Sequence, residues 1–307
     1  MRRIPLALTS ALALTLAAGA AHADCDEVVM SDVGWTDITT TTSAVKQVLQ
    51  ALGYEVDVKV LSVPVTFASL EKDDVDVFLG NWMPAQSGAI GPYLDKGEID
   101  DVAVNLEGTK YTLAVPTYTY DKGLQSFADI HKFHDELDGK IYGIEPGNEG
   151  NAYLVSLTEE NKFDLGDFEV VESSEQGMLA QVARAVKADK DVVFLGWEPH
   201  PMNANFDLKY LPGGEDFFGG EGQVHTVTRK GYVDECPNVG QLLKNVTFTL
   251  PMENEIMGKI LDDGEDADAA VLEWVKANPD LVLGWLDGVK TLDGGDATEA
   301  VKSELGL

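Results

Sequence analysis

Three tryptophans each follow a short β-branched or aromatic run, and their placing points to one kind of chemistry. Val28-Val29-Met30 leads to Gly34-Trp35-Thr36-Asp37; Val75 to Gly80 leads to Asn81-Trp82-Met83-Pro84; and a near copy, Val192 to Gly196, leads to Trp197-Glu198-Pro199. In an open α/β sheet ligands bind beyond the carboxyl ends of the strands, so rings there read as ligand walls. Indole faces suit a soft organic cation. A quaternary ammonium has no N–H donors, so exchanging its water shell for ring faces leaves no hydrogen bond unmade, whereas a primary ammonium would strand donors at roughly 1–3 kcal/mol each. Each desolvated cation–π contact contributes about 0.5–2 kcal/mol. Micromolar binding needs about 8 kcal/mol, so polar contacts must add to the rings. Asp37, two residues beyond Trp35, and Asn148, at a strand end farther along, are the candidates. Either residue also suits a helix cap, and Tyr111 suits a core position as well as a fourth wall.

The elements that would position these groups alternate. Glu27 to Ser31 reads as a strand and Thr39 to Gly53 as a helix, with Val45, Val48, Leu49 and Leu52 on one apolar face, caps from Thr40 to Ser43 and a stop at Gly53. A strand with Val56, Val58 and Val60, a helix from Val65 to Lys72 and a strand ending at Leu79 complete a βαβαβ pattern, which implies a parallel sheet. A strand from Tyr111 to Val115 runs into Pro116. Ser126-Phe127-Ala128-Asp129 is a capping-box pattern opening a helix, Lys140 to Ile144 a strand stopping before Pro146-Gly147-Asn148, and Gln176 to Ala188 a helix before the Phe194 strand. The second stretch thus repeats the plan of the first. Val224 to Thr228 reads as a returning strand, and the last third is helical, with Trp274 and Trp285 in its core.

Arg2 and Arg3, the apolar run Ile4 to Ala20 and the small-residue site Ala21-His22-Ala23 form a secretory signal peptide over residues 1–23. Asp24 stands where a lipobox needs a small residue, so the exported protein is expected to carry no lipid anchor on Cys25. Loss of Arg2 and Arg3 takes the 22 basic side chains to 20 against 53 acidic ones, a net charge of −33. Nucleic acid is excluded as a partner, since phosphate is bound through Lys and Arg. The acidity reads either as solubility in a salty habitat or as a field that draws cations toward a cleft. Cys25 and Cys236, the only cysteines, are expected to pair in an oxidising compartment, closing a loop worth about 4–5 kcal/mol in the chain-entropy model; two buried thiols are the alternative. About 284 mature residues favour two lobes.

Catalysis finds little support: no nucleophile elbow, phosphate loop or zinc-protease motif occurs. His131 and His134 have no third ligand nearby, and the run Asp262 to Asp266 lacks calcium-loop spacing. Neither a metal nor a cofactor is expected. A secreted enzyme acting on an ester of such a cation is the rival from another class.

Along nearly its whole length the mature chain resembles the periplasmic substrate-binding proteins of ABC transporters for quaternary amines, and within them the choline-binding branch. The matching segments are Gly34-Trp35-Thr36-Asp37, Gly80 to Pro84, Gly108-Thr109-Lys110-Tyr111, Pro146-Gly147-Asn148 and Gly196-Trp197-Glu198-Pro199-His200. The resemblance implies an α/β, two-lobe type II binding-protein fold, each lobe a mostly parallel sheet flanked by helices, with two crossover segments and a ligand closed between the lobes. It implies an aromatic box of Trp35, Trp82, Tyr111 and Trp197, polar partners Asp37 and Asn148, and a Cys25–Cys236 disulfide. Lobe one is expected at Asp24 to Lys110 (24–110) plus Leu211 to Leu307 (211–307), and lobe two at Tyr111 to Tyr210 (111–210). The function so implied is that of a monomeric periplasmic receptor that captures choline, with acetylcholine weaker, and passes it to an inner-membrane permease. Glycine betaine or proline betaine is the alternative ligand, disfavoured because Asp37 would repel its carboxylate.

Overall fold

The computed structural model describes residues 25–307; the expected leader lies outside the described residues. The chain opens with strand β1 (Glu27–Asp32), helix α1 (Thr36–Ala51), β2 (Glu55–Val60), α2 (Val63–Glu71) and β3 (Val77–Met83). As the βαβαβ order predicts, β1 pairs in parallel with both β2 and β3. Helix α1 begins three residues before the expected start. The run Thr39 to Ser43 does not cap it but lies inside it, with Thr40, Thr41, Thr42 and Ser43 buried, so tertiary packing overrides the modest helix propensity of threonine. Gly53 closes the helix with φ +97°.

After α3 (Ser87–Lys96) comes β4 (Ile99–Pro116), an 18-residue strand where a short one from Tyr111 was expected. Its first part pairs antiparallel with a late strand and its last seven residues with strands of the second lobe. That second lobe contains α4 (Thr117–Asp121), β5 (Lys140–Tyr142), α5 (Glu149–Glu159), β6 (Glu169–Val171), α6 (Glu175–Lys187), β7 (Phe194–Glu198), α7 (Met202–Asn205) and β8 (Leu208–Tyr210). Here β5 pairs in parallel with β6 and β7, whereas β4 meets β7 and β8 antiparallel. The expected helix from Ser126 is a 3₁₀ turn, Phe127–Phe133. Ser126 donates its hydroxyl proton to Asp129 instead of capping the backbone. Phe127, Ile130 and Leu137 nonetheless point inward, as their spacing required.

The chain returns through α8 (Glu215–Phe218) and β9 (Gly222–Arg229), which inserts antiparallel between β3 and β4. The remaining helices, α9 (Tyr232–Glu235), α10 (Pro237–Asn245), α11 (Leu250–Leu261), α12 (Ala267–Ala277), α13 (Pro279–Gly284) and α14 (Ala297–Leu305), cover the first lobe. Trp274 and Trp285 are buried there. The Cys25–Cys236 bond is formed and ties the start of β1 to the junction of α9 and α10, with Cα atoms 5.7 Å apart. Asp266 in the acidic run caps α12 by accepting from Ala269 N–H, and no cluster of metal-ligating side chains occurs among the described residues.

Candidate functional site

Trp82 and Trp197 occupy equivalent places, each second from last in a strand and each followed by a cis proline bond, Met83-Pro84 and Glu198-Pro199. Trp35 stands at the N-cap position of α1. Tyr111 sits on β4 opposite Trp197 in the antiparallel pairing. One cavity is lined by Trp35, Trp82, Tyr111 and Trp197 together with Asp37 and Asn148, so all six residues singled out in the sequence meet. The space among them, counted to its mouth, is about 360 Å³. The Tyr111 ring centroid lies 6.3 Å from that of Trp82 and 6.4 Å from that of Trp197, both edge-on. Such edge contacts leave faces available to the cavity. Phe218, which sequence reading passed over, backs Tyr111 at 5.0 Å.

Hydrogen bonds hold the Trp82 and Tyr111 walls. The Trp82 indole N–H donates to Asp37 Oδ2 at 3.0 Å, and the Tyr111 hydroxyl donates to Asn148 Oδ1 at 3.0 Å. The same Asn148 oxygen accepts from Gly150 N–H at 2.8 Å and Asn151 N–H at 3.3 Å. Asn148 is therefore both cap of α5 and anchor of Tyr111, so the cap reading holds for it. Gly150 is required there, because a Cβ would collide with the Tyr111 hydroxyl.

Bonds between residues far apart in sequence hold the cavity rim. Trp35 Nε1–H donates to Glu145 Oε1 at 2.8 Å. Helix α1 has no side-chain cap of its own; instead Glu175 Oε2, from the opposite lobe, accepts from Thr36 N–H at 2.9 Å and from the Thr36 hydroxyl at 3.0 Å. His200 Nε2 meets Glu175 Oε1 at 2.8 Å, while His200 Nδ1 accepts from Met202 N–H at 2.9 Å. A lone pair on Nδ1 places the imidazole proton on Nε2, so His200 donates to Glu175. Its ring also packs edge-on against Trp197, 4.9 Å between centroids. Sequence reading missed Glu145 and Glu175, which stand more than a hundred residues from the groups they bind.

The electrostatics are one-sided. Asp37 is buried at 1 % exposure, and burial, then repulsion from Glu175, pushes its carboxyl up to about 7 despite the Trp82 bond. Glu145 is raised chiefly by burial. The cavity lining also includes Ala85, Gln86, Ile144 and Glu149, but no Lys, Arg or His. Both amide atoms of Gln86 and Oδ1 of Asp37 are buried without a protein partner. The arrangement can therefore take a cationic, largely apolar group between rings, with hydrogen-bonding capacity left over for a small polar end.

Residues 26–277 match the family described as the substrate-binding domain of ABC-type glycine betaine transport systems. Among solved structures, an ABC-transporter choline-binding protein in complex with choline is 58 % identical with a TM-score of 0.90, covering 92 % of this chain and 99 % of that one. The lactococcal protein OpuAC in its closed form with glycine betaine is 26 % identical with a TM-score of 0.75, covering 84 % and 98 %. A glycine betaine/carnitine transport binding protein of Listeria monocytogenes serotype 1/2a (strain 10403S) is 31 % identical over 162 residues, 53 % of this chain and 54 % of that protein. An uncharacterised protein of Chromohalobacter salexigens is 49 % identical over 128 residues, 42 % of this chain and 83 % of that one. The fold is thus the two-lobe type II binding-protein fold, and the chain belongs to the family of substrate-binding domains of ABC-type glycine betaine transport systems.

Proposed function

We propose that this protein captures choline between its lobes and hands it to an inner-membrane ABC permease. One observation carries the choice of ligand within the family: the cavity is walled by four rings and two carboxyl groups and holds no basic side chain. The trimethylammonium group stacks among Trp35, Trp82, Tyr111 and Trp197, whose faces supply several kcal/mol together. The hydroxyl end finds Asp37, Asn148 or the unpartnered Gln86 amide. A betaine would set its carboxylate against Asp37 with no cation to receive it. The 58 % identity to a protein solved with choline supports the same reading.

In this reading lobe one comprises residues 24–110 and 211–307 and lobe two residues 111–210, close to where β4 exchanges its partner β9 for β7. The protein acts in the periplasm as a monomer after loss of its leader, and performs no chemistry on its ligand. Titration calorimetry with choline, acetylcholine, glycine betaine and ethanolamine tests the proposal. Choline is expected tightest, with ethanolamine weak. Betaine binding tighter than choline overturns the assignment, and steady turnover of a choline ester overturns the receptor role.

A further inference from the structure

The cavity contains a second carboxyl group that the sequence did not mark. Glu149, first residue of α5, lines it from lobe two, as Asp37 lines it from lobe one. Each has one buried oxygen without a protein partner, Glu149 Oε1 and Asp37 Oδ1. No ion pair among the described residues involves either group. Their titratable neighbours share their sign or are neutral. Asp37 faces Glu175 of α6, the buried Glu253 of α11 and the Trp82 indole of β3; Glu149 faces Glu145 and the Tyr111 phenol of β4. The positive N-terminal ends of α1 and α5 favour both carboxylates, but by only about 0.3–1 kcal/mol each, which does not offset several kcal/mol of charge burial.

Asp37 is buried and Glu149 half-buried with one oxygen shut off from solvent, and two such carboxyl groups without a counter-cation have two remedies: a proton on each, or a cation between them. We propose that Glu149 is a second counter-anion for the ligand, and that the arriving ammonium expels the protons that Asp37 and Glu149 hold in the closed empty box. The balance is simple: each carboxylic O–H bond breaks with its electron pair left on oxygen, the proton passes to buffer, and the new negative charge faces the ammonium. Burial and the neighbouring acids put both groups at about 7 when the box is empty, which sets the pH range of the exchange. Selectivity follows, because a ligand bearing its own carboxylate adds a third negative charge.

The inference rests on the choline reading, and its test separates the two. Calorimetry of choline binding at pH 7 in phosphate and in Tris, whose ionisation enthalpies differ, counts the protons released. About one proton per choline is expected, with affinity about tenfold weaker per group at pH 6 than at pH 8. Glu149→Gln, checked for native circular dichroism, should halve the proton release and flatten the pH profile while choline still binds. Tight choline binding with no proton release and a flat pH profile overturns this proposal alone. Unchanged release in Glu149→Gln removes Glu149 from it, and no choline binding at any pH overturns the function itself.

Discussion

Rim and box both bury carboxyl groups, but they finish them in opposite ways. At the rim, Glu175 accepts from Thr36 N–H, the Thr36 hydroxyl and His200, so neither of its oxygens is left over. In the box, Asp37 accepts one indole N–H and leaves an oxygen bare, and Glu149 Oε1 has no partner. Part of the attraction between lobes is therefore independent of ligand, and part of the resistance to closure is lifted only by a proton or a cation on the box carboxyls. A receptor so divided distinguishes its ligand through the box and sets its affinity partly through the rim.

The largest expected effect is on the unliganded protein as pH changes. Asp37 and Glu149, raised to about 7, keep protons in the native state that the unfolded chain gives up between about pH 4 and 7. Their contribution to stability is present at low pH and declines as pH rises through 7, at about 1.4 kcal/mol per pKa unit for each group. Melting temperature should fall from pH 5 to pH 8, and Asp37→Asn should remove much of that slope. Equal slopes in both proteins would deny the box its role.

Breaking the rim comes next. Glu175→Ala leaves the Thr36 donors unmatched when the lobes are shut and strips the buried His200 of its acceptor in either state, and a charge-assisted hydrogen bond contributes about 1.5–3 kcal/mol. Choline affinity should fall tenfold or more by tryptophan fluorescence titration, and the ligand-free protein should melt lower through the loss at His200. Unchanged affinity would mean that the rim does not bias closure. Trp197→Ala should cost choline at least about 1 kcal/mol by the same titration; an unaltered constant removes that ring from the box.

The smallest effect contrasts the two helix ends. Helix α5 is capped by its own Asn148, α1 from the other lobe by Glu175. Asn148→Ala should therefore destabilise the unliganded protein by about 1 kcal/mol, read from denaturant melts. Glu175→Ala should cost more, because the buried His200 loses its acceptor as well. A smaller loss in Glu175→Ala than in Asn148→Ala would mean that the His200 pair adds nothing to the native state.

Much of this was legible because it is local. Trp35, Trp82 and Trp197 sit at strand ends marked by β-branched and glycine residues, and the repeated Phe-Leu-Gly run gave away the equivalent positions of Trp82 and Trp197. The βαβαβ order and the inward faces of α1 and the Phe127 turn followed from periodicity. Glu175 was not legible, since its partner Thr36 lies 139 residues away and nothing in a helix's first turn announces a distant guest. Glu149 was hidden for a related reason: an acid there is what the helix dipole favours anyway. The true start of α1 was masked by three threonines and a serine, Thr40 to Ser43, that resemble caps but are packed inside.

The long strand β4 carries a last consequence. Its pairing passes from β9 to β7 between Thr109 and Lys110, after three register irregularities with β9 that let a strand bend. Tyr111 stands immediately beyond that point. In the proposed reading, the ring that meets choline stands one residue past the point where this strand changes partners, so any turn of one half against the other would carry this wall with it. Sensing and gearing share one stretch of backbone.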